Sequence, residues 1–124
     1  SRNLRNEISK KAKYYFLDNG VRNAVISQFN PLNLRDDVGA LWENFMFMEL
    51  IKKSGIEGAF DTYYFWRTHA GQEIDIIKES NGVLTAIECK WSGDNAPIPS
   101  AWKESYPASS FRVVNKNNYL DILL

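Results

Sequence analysis

Two carboxylates and a lysine crowd together in QEIDIIKESNGVLTAIECKW, Gln72 to Trp91. Asn81-Gly82 is the strongest short signal for a tight two-residue hairpin turn, because both positions tolerate the left-handed backbone that such a turn needs. With those residues at the tip, Ser80 faces Val83. Counting back along both strands sets Asp75 opposite Glu88 and Glu73 opposite Lys90. Opposed residues share a sheet face, so Glu73, Asp75, Glu88 and Lys90 are expected on one polar face, with Ile74, Ile76, Ile87 and Cys89 on a core face.

That pairing carries an energetic problem. Two carboxylates about 5 Å apart repel by about 3 kcal/mol at an effective dielectric near 20. A raised pKa, the nearby Lys90 ammonium or a bound divalent ion can offset the repulsion. Carboxylate oxygens are hard ligands suited to Mg²⁺ or Mn²⁺, which commonly take one or two carboxylates and fill their shell with water and phosphate oxygens. Lys90, two residues from Glu88, would then face a substrate phosphate or an attacking water, the make-up of a metal-dependent phosphodiester-cleaving site. The plainer reading is a solvated sheet face with one Glu73–Lys90 ion pair.

These residues need elements to position them. DDVGALWENFMFMELIKKSG, residues 36–55, is the strongest helix signal. Val38, Leu41, Trp42, Phe45, Met48 and Ile51 or Lys52 follow three-and-four spacing. Asp36 or Asp37 suits the N-cap, Lys52 and Lys53 the last turn, and Gly55 the left-handed C-cap. Glu43 sits one position past the apolar stripe, a surface residue unless this helix packs across the hairpin. AFDTYYFWR, residues 59–67, alternates with aromatics on both sides and so predicts a strand covered on both faces. SAWKES predicts a short helix, SSFRVVN a strand and YLDILL a packed apolar tail. The order is helix, three-stranded meander, helix, strand: an α/β layer fold with a mixed sheet.

Composition bounds the rest. The 124 residues are 44% hydrophobic and 24% charged, enough for one packed core. No apolar run approaches the roughly 18–20 residues that span a bilayer. The opening SRNLRNEISKKAK lacks the apolar stretch of a signal peptide. The single cysteine, Cys89, cannot pair internally, so a reducing cytoplasm is the expected location, and a buried, inert thiol the expected state. Formal charge is zero, yet residues 1–35 hold seven Lys/Arg against two acids, while the remainder holds eight against thirteen. A basic end can contact a phosphate backbone, or it can be solvated surface. Within it, KYYFLDNGV predicts a lead-in strand and VRNAVISQF a short helix ended at Pro31. His69, in the turn THAG, is read as solvated rather than as a general base.

GALWENFMFMELIKKSG, YYFWRTHAGQEIDIIKE and TAIECKW together resemble a C-terminal domain of uncharacterised function carried by prokaryotic AAA+-like ATPases. That domain is similar to the PD-(D/E)xK phosphodiesterases, with their restriction-endonuclease-like αβββαβ core. The resemblance runs from about Lys13 to Val114, and its specificity lies in the combination of the helix acid with EID and ECK. It places the superfamily's helix acid on Glu43, its aspartate on Asp75 and its (D/E)xK pair on Glu88 and Lys90. Ile74 stands where the superfamily name has proline. By that likeness Asp75, Glu88 and the Cys89 carbonyl would hold Mg²⁺ or Mn²⁺, Lys90 would act on the phosphate or water, and Glu43 would support the metal.

The same resemblance implies a division of the chain. Residues 1–35 would be the trailing edge of a preceding module plus the lead-in strand and helix, and residues 36–124 the nuclease-type domain. An N-terminal ATPase domain would precede it in a longer chain. No G-x-x-x-x-G-K-S/T phosphate loop occurs, so no ATP hydrolysis is expected from this sequence itself. The expected activity is Mg²⁺-dependent hydrolysis of nucleic acid, DNA before RNA. The alternative is a catalytically degenerate nuclease fold that binds DNA or a partner and regulates the ATPase. The sequence leaves the oligomeric state open.

Overall fold

Backbone pairing and side-chain pattern produce seven elements in the computed structural model, which describes residues 36–93 and 95–124. The strand and helix expected within 1–35 lie outside these residues. Helix α1 (Val38–Glu57) is followed by β1 (Thr62–Arg67), β2 (Glu73–Ser80) and β3 (Val83–Cys89), then α2 (Ser100–Ser105), β4 (Ser110–Val114) and α3 (Tyr119–Leu123). The sheet order is β1-β2-β3-β4. The first three strands form an antiparallel meander and β4 lies parallel to β3. This is the mixed α/β architecture that the sequence predicts, and the crossover through α2 is what allows the parallel pairing.

Helix α1 buries Leu41, Trp42, Asn44, Met46, Leu50 and Ser54. Trp42, Met46, Leu50 and Ser54 repeat every fourth residue, a stripe one helix position away from the expected Phe45–Met48 line. Ile51 is left exposed. The segment from Leu41 to Ile51 is apolar nearly all round, so its own periodicity cannot select the inward face; the sheet does. The helix also runs two residues past Gly55. It ends at Gly58, whose φ of 67° is the left-handed cap, and Ala59 N–H reaches back to the Ser54 carbonyl at 2.9 Å. Asp37 holds the N-cap position without a side-chain capping bond.

Two apolar layers sandwich the sheet. Trp42, Met46 and Leu50 of α1 pack with Ile76, Ile87, Cys89 and Val114, and Tyr119, Ile122 and Leu123 of α3 close that side. On the opposite face Trp102 and Tyr106 pack with Trp66, Ile74, Ile77, Leu84 and Ala86. Trp66 meets Trp102 edge to face at 5.4 Å. The aromatic strand is thus covered on both sides, as expected, although it starts at Thr62 and leaves Phe60 wholly exposed. At the hairpin tip, Asn81 at φ 51° and Gly82 at φ 79° make the tight turn expected of Asn-Gly.

Helix α2 is six residues long and has no capping side chain of its own. Gln72 supplies one from a distance: its Oε1 accepts from Ala101 N–H at 3.1 Å, and its Nε2 donates to Ser100 Oγ at 3.2 Å. Gln72→Ala is expected to lower stability by about 1 kcal/mol, the usual worth of an N-cap, with divalent-ion binding unchanged. Urea unfolding of the two proteins measures it. An unchanged midpoint would mean that water replaces the amide without loss.

Candidate active site

The site lies at the end of the sheet where β2 and β3 stop pairing. Their ladder holds the expected register from Ser80↔Val83 to Ile76↔Ile87 and goes no further. On the other edge of β2, Tyr64 pairs with Ile77 and Trp66 with Ile74, so Asp75 and Ile76 together face Phe65 alone. That is a β-bulge, an extra residue that bends one strand and re-aims its side chains.

The bulge corrects the expected faces. Strict alternation would leave Ile74 and Ile76 together, but Ile74 packs in the α2 layer and Ile76 in the α1 layer. There is no single polar face opposite a single core face; both faces of the sheet carry core. Glu73 pairs with Arg67 of β1, and its expected pairing with Lys90 falls beyond the last pair of the β2–β3 ladder, Ile76↔Ile87.

The carboxylates nevertheless meet. Consecutive amides of β3 point to opposite edges, and each finds a different kind of acceptor. Lys90 N–H donates to the Val114 carbonyl of the parallel neighbour at 2.9 Å. Cys89 N–H points toward β2, where it donates to Asp75 Oδ2 at 3.0 Å. A carboxylate thus takes an amide that a regular ladder would give to a carbonyl, which fixes Asp75 at the open end of β2. Glu88, on the adjacent strand, hydrogen-bonds Asp75 through its side chain.

The electrostatics follow from that contact. Partial burial pushes the Glu88 carboxyl up most, followed by its hydrogen bond to Asp75 and the repulsion of the Asp75 charge; the Lys90 ammonium pulls it down and the Glu43 charge adds a further push upward. The result is a pKa of about 8 against an ordinary 4.5. Without a cation, the Asp75–Glu88 pair therefore keeps a proton to higher pH than two separate carboxylates would.

Of the residues singled out in the sequence, Asp75, Glu88 and Lys90 come together, and Glu43 of α1 is near enough for its charge to act on Glu88. Among the described residues no three His, Cys, Asp or Glu side chains converge as a metal cage. The pair of side-chain donors that the structure brings into contact is Asp75 and Glu88. The Cys89 thiol is buried in the α1 layer, as expected from its place on an apolar face. His69 is exposed in the Thr68–Gln72 turn.

Sequence reasoning missed the aromatic surroundings. Trp42, one residue before Glu43, donates its indole N–H to the same Val114 carbonyl at 2.9 Å. That oxygen therefore holds both the Lys90 backbone and the Trp42 ring. Trp91, one residue after Lys90, lies edge-on to Trp42 at 5.4 Å. Adjacency of each tryptophan to a site residue was the available signal.

A family model described as "Domain of unknown function (DUF4143)" matches residues 38–120. The chain belongs to this family. The DUF4143 match begins at the first residue of α1 and ends in α3, so it includes Glu43, Asp75, Glu88, Cys89 and Lys90. No curated protein and no solved structure matches the chain. No described helix is long and apolar enough to cross a membrane.

Proposed function

We propose that this DUF4143 domain is a divalent-metal-dependent nuclease-type domain with a restriction-endonuclease-like αβββαβ core, the C-terminal part of a prokaryotic ATPase acting on DNA in the cytoplasm. The observation that carries the reading is the Asp75–Glu88 pair, two acids held in contact at the open end of the sheet with Lys90 beside them. A fold that only needed a stable strand end would gain from neutral residues there.

The donor chemistry fits Mg²⁺ or Mn²⁺: two carboxylates and the Cys89 carbonyl are hard oxygen ligands, and ionising Glu88 for a cation would relieve the repulsion. Bound there, the ion would supply Lewis-acid stabilisation of charge on the phosphate oxygens. Asp75 is fixed for this by the Cys89 N–H, which leaves its position independent of the ion. Lys90 emerges where β3 ends, its backbone pinned to Val114, and places an ammonium where a scissile phosphate or its attacking water would lie. Glu43, from the helix above, adds negative field and would hold metal-bound water.

The second reading is a degenerate nuclease fold that binds DNA or a partner and regulates the ATPase; the zero formal charge, which gives no strong attraction to a polyanion, favours its partner-binding form. Calorimetric titration of Mn²⁺ into the domain and into Asp75→Asn separates the two. Saturable binding that the substitution removes, followed by Mn²⁺-dependent cleavage of DNA, supports the nuclease. Absent binding in the wild-type domain leaves the regulatory module.

A further inference from the structure

One carbonyl oxygen, that of Val114 at the end of β4, joins helix α1 to the end of β3. It accepts from Lys90 N–H and from Trp42 Nε1–H, each at 2.9 Å. Val114 and Trp42 are both buried. A buried N–H left without an acceptor is costly, so the indole cannot turn away from this carbonyl without penalty. Neighbouring rings hold it there: Phe45 stacks on it at 5.6 Å, and Trp91 and Tyr119 meet it edge-on at 5.4 and 5.3 Å.

The Lys90 backbone depends on the β4 side of its strand. The β2–β3 ladder ends at Ile76↔Ile87, and Asp75 takes the Cys89 N–H in place of a carbonyl. Past that point β3 is tied to β4 and the turn after it, by Lys90 N–H to Val114 and by Lys116 N–H to the Trp91 carbonyl at 3.2 Å. Asn115 braces this turn: its side chain accepts from the Asn117 and Asn118 amides and donates to the Gly93 carbonyl at 2.7 Å.

Lys90 and Glu43 come to the acid pair from different sides. Cys89 and Trp91 pack in the α1 layer, and successive strand side chains alternate, so the Lys90 side chain leaves on the opposite face. Glu43 follows Trp42 on α1, and its charge reaches Glu88 from the α1 side. The Val114 carbonyl is common to both approaches. Towards its other end, α1 is tied to the sheet by the Tyr63 hydroxyl, which donates to the Leu50 carbonyl at 3.2 Å. A helix held towards both ends cannot slide along the sheet, and Trp42 is a tie on the site side.

We propose that Trp42 is a positioning residue of the Asp75–Glu88–Lys90 site: its indole N–H locks α1, and Glu43 with it, to the carbonyl that sets where the Lys90 backbone sits. This role rests on the nuclease-type reading above. Trp42 acts through Val114, without contact to substrate or metal.

Trp42→Phe keeps a ring and removes the N–H. Residue-by-residue hydrogen exchange of the 124-residue protein in EDTA tests the tie without any need for activity. The Lys90 amide should exchange about tenfold faster than in wild type, beyond a smaller common change in the β2–β3 hairpin, because local opening frees only the amides it exposes whereas global destabilisation speeds all slow amides together. In single-turnover cleavage at saturating Mn²⁺, Trp42→Phe should slow the maximal rate about ten- to a hundredfold, the cost of a misplaced group, with DNA and Mn²⁺ affinities within about twofold of wild type. In a Lys90→Ala background the same substitution should cost less than about twofold, since the lysine it positions is gone.

Uniform exchange, a wild-type cleavage rate in Trp42→Phe, or the same loss in both backgrounds overturns the role of Trp42 and leaves the nuclease reading standing. A wild-type protein that binds no Mn²⁺ and cuts no DNA overturns the nuclease reading, and the role of Trp42 with it, whatever the exchange pattern. Should Trp42→Phe fail to fold, the wild-type protein decides: a Trp42 indole proton that exchanges as slowly as the core amides supports the tie, and a fast one overturns it.

Discussion

Lys90→Ala is expected to leave Mn²⁺ affinity nearly unchanged and to slow DNA cleavage by about a thousandfold, whereas Glu88→Gln is expected to lose both. The two residues are neighbours on one strand, but they do different work. Glu88 would be a ligand, and its neutral isostere cannot supply the charge a divalent ion needs. Lys90 is exposed and would bind no metal; its ammonium is worth most where negative charge develops on the phosphate, and removing such a group typically costs about a hundred- to a thousandfold in rate. Asp75→Asn should resemble Glu88→Gln in activity. It should also keep the fold, because an amide oxygen can still accept from Cys89 N–H. Single-turnover rates at saturating Mn²⁺, beside calorimetric affinities, separate the two effects. Equal loss of metal binding in Lys90→Ala would show that the lysine organises the carboxylates rather than the substrate.

In EDTA, the domain should lose stability as pH rises from about 4.5 to about 8 and then level off. The folded state keeps on Glu88 a proton that the unfolded chain has released across that window, so stability falls with pH there. Each pKa unit is worth about 1.4 kcal/mol at most; with Glu88 only partly buried, solvent screening reduces the total to a loss on the order of 2 kcal/mol. Glu88→Gln should abolish the slope and leave the domain more stable than wild type at pH 8. Millimolar Mg²⁺ should flatten it too, because a ligand that binds only the folded state adds stability where Glu88 is charged.

Asp61 sets the opposite limit. The Ser54 hydroxyl at 2.6 Å, then Ser80, hold its carboxyl below the ordinary 3.8; burial opposes them, and the Lys78 ammonium at 3.5 Å helps to lower it. The stability it contributes is present above 3.8 and is lost as pH falls through its lower folded value. Chemical denaturation from pH 3 to pH 9 should therefore show a maximum at about pH 4, where the gain from ionising Asp61 gives way to the loss at Glu88. A profile that rises steadily to pH 8 would show that Asp75 and Glu88 are not held together in solution.

The sequence by itself determined the elements and the chemistry available to them. Asn81-Gly82 specifies its turn because few residue pairs accept two positive φ angles, and the hairpin register near the tip follows from that turn alone. Alternating aromatics predict β1, and the acid, acid and lysine of EID and ECK are visible without any structure. Only the tertiary structure decided where those side chains go. The inward face of α1 was legible at Leu41 and Trp42 but not beyond them, because a helix apolar nearly all round has no unique stripe until a sheet selects Met46 and Leu50. The bulge at Asp75 and Ile76 was not legible either, since it arises between β1 and β2, strands joined by a separate loop, and it reverses the expected face of Ile74. The Asp75 bond to Cys89 N–H and the raised pKa of Glu88 depend on the strand opening that begins there. A local turn propagates register only as far as the ladder stays regular; past the bulge, packing against two aromatic layers sets the geometry.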